Sequence, residues 1–410
     1  AFILLCYTKT NAQSIKQLLK QGTEATANKD YSASSQIYNQ LILLDSSKIE
    51  YQILFADASR LNYDNEAALH WYQKIYKKDN GKVYKEVPFY IATLLKNTGK
   101  YKEAKKYFDK YYKKNRTVKD PIKKQMGLKA KQEIEACDLA QILIKNPVDS
   151  KVLHLDSAVN SRVSEYAPYE VDSVLYFSSL RDKSKTDDRG VGFNKLYTSN
   201  KLNNKRQKAT ELDSIFNKEG IHNANTCFND DFTKIYVTRC KALNASQYTC
   251  EIYFSDYINN KWTELKKLPS PININGANTT QPSTGKINNK DALFFASNRT
   301  GGEGGMDIWY SILNSDGTFN IPVNAGKNIN TLEDEITPFY VKEINTLYFS
   351  STWHKGLGNF DIFKSEFKNN EFGEAKNVGY PINSSYNDIY YSVNSKKDKA
   401  FISSTRIGSH

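Results

Sequence analysis

The motif with the strongest potential for chemistry is a glycine-rich stretch, Gly302–Asp307, whose spacing could form a phosphate-binding loop. The same spacing recurs at Gly356–Asp361. A feature that recurs along a chain is more typical of a repeated turn than of one binding site, because glycine supplies left-handed backbone and aspartate can accept hydrogen bonds from turn amides. We therefore interpret these positions as residues that define a repeat: Gly302, Gly304, Asp307, Gly356, Gly358 and Asp361.

No motif of a hydrolase or a metalloenzyme accompanies this stretch. The sequence lacks the G-x-S-x-G and H-E-x-x-H patterns, and no complete P-loop surrounds Gly285 and Lys286. Asp187 and Asp188 could hold a cation, but nearby lysines favour a polar loop there. The histidines are scattered without metal-ligand spacing: His70, His154, His222, His354 and His410. The sequence therefore predicts no catalytic residue, no cofactor and no metal site.

Charge and length limit the remaining function classes. The 410 residues carry a formal charge of +12 and are 39% hydrophobic, which predicts two or three folded domains. Part of the charge lies in adjacent lysine pairs of the first half: Lys77-Lys78, Lys105-Lys106, Lys113-Lys114 and Lys123-Lys124. Such pairs form either a solvated helix face or a contact for an anionic partner. Nucleic acid is not expected, since no recognised nucleic-acid motif accompanies the charge.

The first residues resemble the end of an export signal. Residues 1–6 are apolar, and Thr10 and Ala12 place small residues before Gln13 at the positions that a signal peptidase reads. We expect residues 1–13 to be a signal-peptide remnant. The alternatives are a short N-terminal helix, or a lipoprotein cysteine at Cys6, although Leu5 stands where a small residue is usual.

Export would permit disulfide bonds. Cys240 ends one apolar strand and Cys250 begins the next, so that a hairpin would place them opposite each other. We predict a disulfide between them. Cys137 and Cys227 are expected to be small buried hydrophobic residues.

Residues 14–147 carry a helical repeat. A small residue followed four positions later by an aromatic one recurs three times: Ser34 and Tyr38, Ala67 and Trp71, Ala104 and Phe108. The small residue lets two helices approach, and the ring fills the space one turn later. The pattern resembles the tetratricopeptide repeat in degenerate form over residues 14 to about 115, with Gly22 at the glycine of that repeat. A helix from Gly127 to Lys145 is predicted to cap the array.

From residue 148 the pattern changes to short strands. Equivalent aromatic residues recur at intervals of 59, 59, 54 and 52: Phe177, Tyr236, Phe295, Phe349 and Phe401. A second strand follows each of the first four, and an Asn-containing landmark precedes all units but the second. This spacing predicts β-propeller blades over residues 148–410, four complete and a fifth truncated. The fold class is therefore an α+β multidomain chain, an α-solenoid followed by an incomplete β-propeller.

The ends of the propeller segment carry a prediction about ring closure. Val152–Leu155 precedes Asn160 as Ala375–Val378 precedes Asn383, which is the place of a blade's outer strand. Its partner strands come last in the chain and are incomplete. We therefore expect an open ring with exposed blade edges.

The repeat sequences resemble known families. Ser-Ser-x-Arg at strand ends (178–181 and 403–406) and Asp-Ile-aromatic after the glycine turns resemble WD-like repeats of the TolB type. Helical repeats followed by such blades are similar to periplasmic proteins of the PorE type, except that no OmpA-like domain follows. The resemblance implies a non-catalytic scaffold for outer-membrane or type IX secretion components, with peptidoglycan reached through the missing domain. The alternative is an exported ligand-binding module, or the accessory propeller of a hydrolase.

Overall fold

The chain divides into two compact units, Ala1–Asp138 and Leu139–His410. The computed structural model describes residues 2–181, 186, 192–203, 205–244 and 247–408, with side chains for all of these except residues 2–13 and 244. No helix in these ranges is long and apolar enough to cross a membrane. Asp187, Asp188 and His410 lie outside the described residues.

Seven α-helices occur in the described residues of the first unit, the last of them continuing past Asp138, and consecutive helices from α1 to α6 pack on one another. Residues 2–13, the predicted signal remnant, are helical and continuous with the first repeat helix. The helices are α1 (Phe2–Ala27), α2 (Tyr31–Leu44), α3 (Ile49–Leu61), α4 (Asn65–Asp79), α5 (Val87–Asn97), α6 (Tyr101–Asn115) and α7 (Pro121–Lys145).

The turns within the three helical hairpins share one backbone device. A left-handed residue precedes the second helix in each: Lys29 (φ 58°), Tyr63 (φ 60°) and Gly99 (φ 74°). Asp30 and Asp64 follow, and their side chains accept hydrogen bonds from the amides of Ala33 and Ala67, which caps α2 and α4. The shared turn places equivalent residues at the same depth in each hairpin.

This register corrects the middle repeat pair. Ser34 and Ala104 lie four residues after the cap positions of α2 and α6 and are fully buried, as are their partners Tyr38 and Phe108. The equivalent residues of α4 are Ala68 and Tyr72, both at 0% exposure. Ala67 and Trp71, the predicted pair, are only partly buried. The prediction missed by one position because Trp71 is the more conspicuous ring.

The last helix also begins earlier than predicted. It starts at Pro121 rather than Gly127, and the Asp120 carboxylate accepts a hydrogen bond from the Lys123 amide, 2.9 Å away. Proline at a first helical position has the required φ and lacks an amide that would stay unpaired there. Asp120-Pro121 is therefore the start signal that the apolar spacing did not reveal.

Antiparallel sheets make up the second unit. Four sheets have four or five strands in sequence order, and the fifth has two: β1 (Glu165–Val171), β2 (Val174–Ser179), β3 (Lys195–Leu202), β4 (Lys205–Arg206) and β5 (Thr210–Glu211); β6 (His222–Phe228), β7 (Lys234–Asn244), β8 (Gln247–Ile258), β9 (Lys261–Trp262) and β10 (Lys266–Lys267); β11 (Thr279–Ile287), β12 (Lys290–Ser297), β13 (Asp307–Ile312) and β14 (Val323–Asn324); β15 (Glu335–Val341), β16 (Thr346–Ser351), β17 (Asp361–Lys368), β18 (Glu371–Phe372) and β19 (Lys376–Asn377); β20 (Asp388–Val393) and β21 (Ala400–Ser404). The chain is thus a tetratricopeptide-like α-solenoid followed by an incomplete β-propeller.

Strand register corrects two of the equivalent positions. Phe177, Phe295 and Phe349 each lie opposite an aromatic of the third strand. The residue in this place on β7 is Val237, opposite Tyr253, rather than Tyr236. On β21 it is Ile402, because Ser403 and Ser404 pair with β20 as Ser178 and Ser179 pair with β1. Val237 is fully buried, whereas Ile402 is partly buried and Phe401 beside it packs against the core around Phe177.

A single asparagine fastens each complete blade. Asn273 accepts a hydrogen bond from the Ile252 amide at 2.9 Å and donates to the Ile252 carbonyl at 2.8 Å. Asn330 and Asn383 hold β13 and β17 in the same way. Asn217 holds β3 at Leu196. Asn217 is therefore the landmark that sequence analysis did not find before the second unit, where Phe216 replaces the usual isoleucine.

The expectation of an open ring is wrong. The first strands of the sheets, β1, β6, β11, β15 and β20, contact one another in succession, and β20 contacts β1. Ser392 Oγ on β20 donates to the Pro168 carbonyl at 2.6 Å, and the rings of Tyr166 and Tyr390 lie 5.5 Å apart. Val152–Leu155 is neither strand nor helix. Two strands of the fifth sheet suffice for closure because the innermost strand makes these contacts.

Candidate functional site

The centre of the ring is built from five copies of one backbone irregularity. Each inner strand shifts register against its neighbour. A non-glycine residue with φ between 54° and 59° lies at each shift: Ala167, Asn225, Gln281, Thr337 and Tyr390. A bulge of this kind re-aims the side chains around it. The five bulges together bring one residue from each sheet to the same level of the channel that the inner strands surround.

Side chains at this level close the channel. The Thr337 amide donates to Gln281 Oε1 at 3.0 Å, and Gln281 Nε2 donates to the Tyr390 hydroxyl at 3.2 Å. Asn225 and Gln281 amides donate to hydroxyls of the second strands, Ser178 and Thr238, both at 3.0 Å. The remaining cavity is about 40 Å³, so that the centre has room for water rather than for a ligand.

The chemistry of this level is neutral. Burial raises the pKa of Tyr390 to about 12 and also raises that of Tyr166 well above its usual value. Both phenols are therefore un-ionised at neutral pH. The described residues that line the central cavity include amides, hydroxyls, aromatic rings and Cys227, whose thiol pKa is raised by burial, but no carboxylate. The side chains that line the cavity form a polar hydrogen-bond network and do not provide a pair of groups for acid and base catalysis.

The two glycine stretches connect the second and third strands of one sheet, β12 to β13 and β16 to β17, and lie against the chain that leads into the next sheet. Asp307 accepts from the Glu303 amide at 2.6 Å and the Gly304 amide at 3.3 Å, and Asp361 accepts from the Gly358 amide at 2.8 Å. Left-handed backbone is not the reason for the glycines, since Gly302, Gly304, Gly356 and Gly358 do not have positive φ. A Cβ on Gly304 would overlap the Thr331 carbonyl oxygen, and one on Gly358 that of Tyr386. Close approach of the next blade requires glycine.

The cysteines have structural positions. Cys240 and Cys250 face each other on β7 and β8 and are joined by a disulfide, with Cα atoms 4.1 Å apart. Cys137 and Cys227 are buried thiols, and burial raises the pKa of Cys137 to about 12. Neither thiol is ionised at neutral pH, and both pack as small hydrophobic groups.

A buried charged residue recurs at the start of the inner strands. Glu165 accepts from Arg181 at 3.1 Å, and Asp388 accepts from Arg406 at 2.8 Å. Glu335 occupies this place on β15 but is bonded by hydroxyls. The arginine of the Ser-Ser-x-Arg sequence thus forms an ion pair with the acidic residue that begins the inner strand. The sequence alone did not predict this role.

No metal centre occurs among the described residues, where no three His, Cys, Asp or Glu side chains converge. His70 is exposed beside Trp71, with ring centroids 5.4 Å apart. His222 is buried, and His354 donates to the Ile329 carbonyl at 2.9 Å. The histidines of the described residues are structural or surface groups spread over both units.

The helical unit contains a partly buried polar cluster. Arg60 Nε donates to the Tyr72 hydroxyl at 3.1 Å, and that hydroxyl donates to the Asp57 carboxylate. The Arg60 guanidinium lies 4.3 Å from the Tyr90 ring centroid. Burial raises the pKa of Asp57 and that of Tyr72. The cluster ties α3 to α4 and α5.

A second, fully buried cluster joins α5 to α7. Lys96 Nζ contacts one carboxylate oxygen of Glu133, and Lys129 Nζ lies 3.2 Å from the other. Desolvation opposes ionisation of Glu133, but the two ammonium groups hold its pKa below the usual value. One buried carboxylate thus serves two lysines.

Positive charge is concentrated on the helical unit. Residues 1–138 contain 25 Lys and Arg against 15 Asp and Glu, a net +10 of the chain's +12. Residues 82–131 alone contain 16 basic residues and four acidic ones. Many of the basic side chains are exposed, including Lys102, Lys106, Lys110 and Lys124. The propeller is nearly neutral by comparison.

Comparison with known proteins gives fold-level similarity. No family model matches the chain, and no curated protein matches it. The helical part resembles the Yersinia enterocolitica type III secretion translocator chaperone SycD (17% identity, 32% of this chain, 88% of that chain, TM-score 0.28). It also resembles PcrH, crystallised with the chaperone-binding region of PopD (18%, 32%, 95%, TM-score 0.28).

The sheet-rich part has structural neighbours of a different class. A thermostable family-43 glycoside hydrolase matches 61% of this chain and 86% of its own, at 13% identity and a TM-score of 0.39.

Proposed function

We propose that the protein is a non-catalytic scaffold of the periplasm, associated with the outer membrane, whose helical unit binds an acidic segment of another envelope protein. The concentration of charge carries the proposal: 16 basic against four acidic residues within residues 82–131. Lys96 and Lys129 are buried against Glu133, and Lys105 pairs with Asp138, which leaves 13 basic residues against the four acidic ones of this segment. An acidic partner would neutralise this charge. The electrostatic field of the lysines would steer the association, and salt would weaken it.

The architecture of the helical unit supports this role. Stacked helical hairpins provide an extended surface in which each hairpin contributes equivalent positions to a partner. The Asp57 cluster and the buried Glu133 cluster fix α3, α5 and α7 relative to their neighbours. A rigid array loses little conformational entropy when it binds a flexible segment.

Two observations support the compartment. The Cys240–Cys250 disulfide is of a kind that persists in oxidising compartments such as the periplasm. The first residues have the pattern of an export signal. A place in a type IX secretion assembly is part of the proposal and rests on the resemblance to the PorE-type arrangement of helical repeats and blades.

Charge reversal tests the proposed surface. The triple variant Lys102→Glu, Lys106→Glu and Lys124→Glu changes exposed residues of α6 and α7. Its matched control makes the same change at exposed propeller residues, Lys261, Lys290 and Lys368. Purified wild-type protein should retain acidic envelope proteins from a solubilised envelope fraction, and retention should fall steeply between about 0.05 and 0.3 M salt. The helical variant should lose them and the propeller variant should keep them. Equal retention by both variants would reject this surface.

A further inference from the structure

A basin of about 210 Å³ lies at one mouth of the central channel. All five sheets contribute to its lining, through their inner strands and the turns that follow them. The channel centre below it is closed by the Gln281 and Tyr390 side chains. The basin is therefore a pocket with a floor rather than an entrance to a pore.

Two turns at the rim contain residues that the backbone does not favour. Each turn between inner and second strand has a left-handed residue: Asp172, Phe232, Asn289, Asn345 and Lys397. Asn and Asp adopt this conformation readily, whereas a bulky side chain rarely does. Phe232 (φ 58°) and Lys397 (φ 58°) stand at the same place in their turns, each with its amide donating to the carbonyl of an asparagine three residues earlier, and both line the basin. A residue held in an unfavoured conformation points to a function for its side chain.

Aromatic groups form one side of the basin. Phe232 is 40% exposed, and its ring centroid lies 6.1 Å from that of Phe228. Tyr169 lies 5.8 Å from Phe228 and 6.1 Å from Phe339. Phe232, Tyr169 and Phe339 are the partly exposed members of this group. They offer a ligand an apolar surface with π faces.

Each charged side chain of the lining has an oppositely charged partner: Glu170 pairs with Arg206, and Asp230 also has Lys286 Nζ 3.6 Å away. Lys342 Nζ lies 2.7 Å from Asp230 and Lys397 Nζ lies 2.6 Å from Glu343. These two pairs have no net charge. Each ammonium group can donate three hydrogen bonds, and each carboxylate can accept several. The ion pairs can therefore form further hydrogen bonds with hydroxyl groups, which both donate and accept. A charged ligand would have to compete with a pair, whereas hydroxyl groups would join it.

We infer that the basin binds a neutral saccharide unit. The apolar face of a sugar ring would pack on the Phe232 side, and its hydroxyls would bond to the Lys342–Asp230 and Lys397–Glu343 pairs. This site is separate from the basic helical surface, so that failure of one proposal leaves the other intact.

Titration of the full chain with neutral trisaccharides tests the inference. The probes are maltotriose, cellotriose, xylotriose and triacetylchitotriose, followed by calorimetry and by saturation-transfer NMR. A galacturonic acid trimer and an acidic peptide are the charged probes. We expect one-to-one saturable binding of at least one neutral probe. Phe232→Asn and Lys397→Asn should each weaken it about tenfold or more.

Matched controls come from the helical unit. Tyr63 (φ 60°, 80% exposed) and Lys29 (φ 58°) hold the same conformation without a basin. Tyr63→Asn and Lys29→Asn should leave binding unchanged. Melting temperatures should show that all four variants remain folded. Absence of saturable binding by every neutral probe, binding of the charged probes alone, or equal binding by wild type and both basin variants would overturn the inference.

Discussion

Glu335 is a buried carboxyl group that forms no ion pair with an arginine of the described residues. Its side chain is fully buried at the start of β15 and accepts hydrogen bonds from Thr331 Oγ1, the Thr331 amide and Ser351 Oγ, each at 2.6 Å. Equivalent acids in the first and fifth sheets pair with Arg181 and Arg406. In the fourth sheet His354 bonds instead to a carbonyl. We predict that Glu335→Gln stabilises the protein above neutral pH.

The pKa of Glu335 gives the sign and the size of this effect. Burial raises the pKa from 4.5 to about 7, and the nearby Asp307 carboxylate adds to the increase. The folded state therefore binds a proton more tightly than the unfolded state. The resulting stability is complete below about pH 4.5 and is lost as the pH rises through 7. Since a tenfold change in proton affinity is worth about 1.4 kcal/mol, the loss is on the order of 3 kcal/mol.

Glutamine should keep the three hydrogen bonds without the charge. Its amide nitrogen can donate to the two hydroxyls, which then act as acceptors, and its oxygen can accept from the Thr331 amide. The assay is the free energy of unfolding in urea between pH 5 and 8. We expect Glu335→Gln to exceed wild type by about 2 to 3 kcal/mol at pH 8 and to show a smaller pH dependence. Glu165→Gln, the control in the first sheet, should destabilise, because Arg181 loses its carboxylate. A Glu335→Gln protein no more stable than wild type at pH 8 would refute the reasoning.

Four other predictions test packing and register. Ala68→Leu should cost about 1 to 3 kcal/mol of unfolding free energy through overpacking, whereas Ala67→Leu should change it by less than about 0.5 kcal/mol; urea denaturation of both variants checks the corrected repeat position. Glu133→Gln should cost about 3 to 5 kcal/mol because two buried ammonium groups lose their carboxylate, and a loss below 1 kcal/mol by the same assay would contradict the buried cluster. Asn217→Ala and Asn330→Ala should lower the melting temperature by similar amounts, since each removes two buried hydrogen bonds to the backbone of a third strand, at Leu196 or at Ile308, and a harmless Asn217→Ala would contradict their equivalence. Cys240→Ser with Cys250→Ser should cost about 2 to 3 kcal/mol, and calorimetry showing no loss would mean that the bond does not form in the native protein.

Repetition made the fold predictable from the sequence. Small and aromatic residues at repeating intervals predicted the helical array, and strand runs at intervals above 50 residues predicted blades. Two of the errors of one position arose where an aliphatic residue stands at a strand position that is phenylalanine in the other sheets. Val237 and Ile402 take the place of phenylalanine, and Ala68 with Tyr72 was hidden beside Ala67 and Trp71.

Features that depend on distant contacts could not be predicted. Closure of the ring depends on contacts between β1 and β20, more than 200 residues apart in the chain. The glycines at 304 and 358 are required by carbonyl groups of the following blade rather than by their own backbone angles. The basin combines residues from five sheets, of which Phe232 and Lys397 differ from ordinary surface residues only by their backbone conformation.

Cross-linking in intact cells tests the scaffold proposal most directly. A photoreactive amino acid at position 106 samples the basic helical surface, and the same group at position 261 is the matched propeller control. The proposal predicts that position 106 captures a specific acidic outer-membrane or secretion component, that Lys102→Glu with Lys124→Glu abolishes the capture, and that position 261 does not give it. A protein that fractionates freely, gives no specific adduct at position 106 and turns over a peptide or glycan substrate would contradict it.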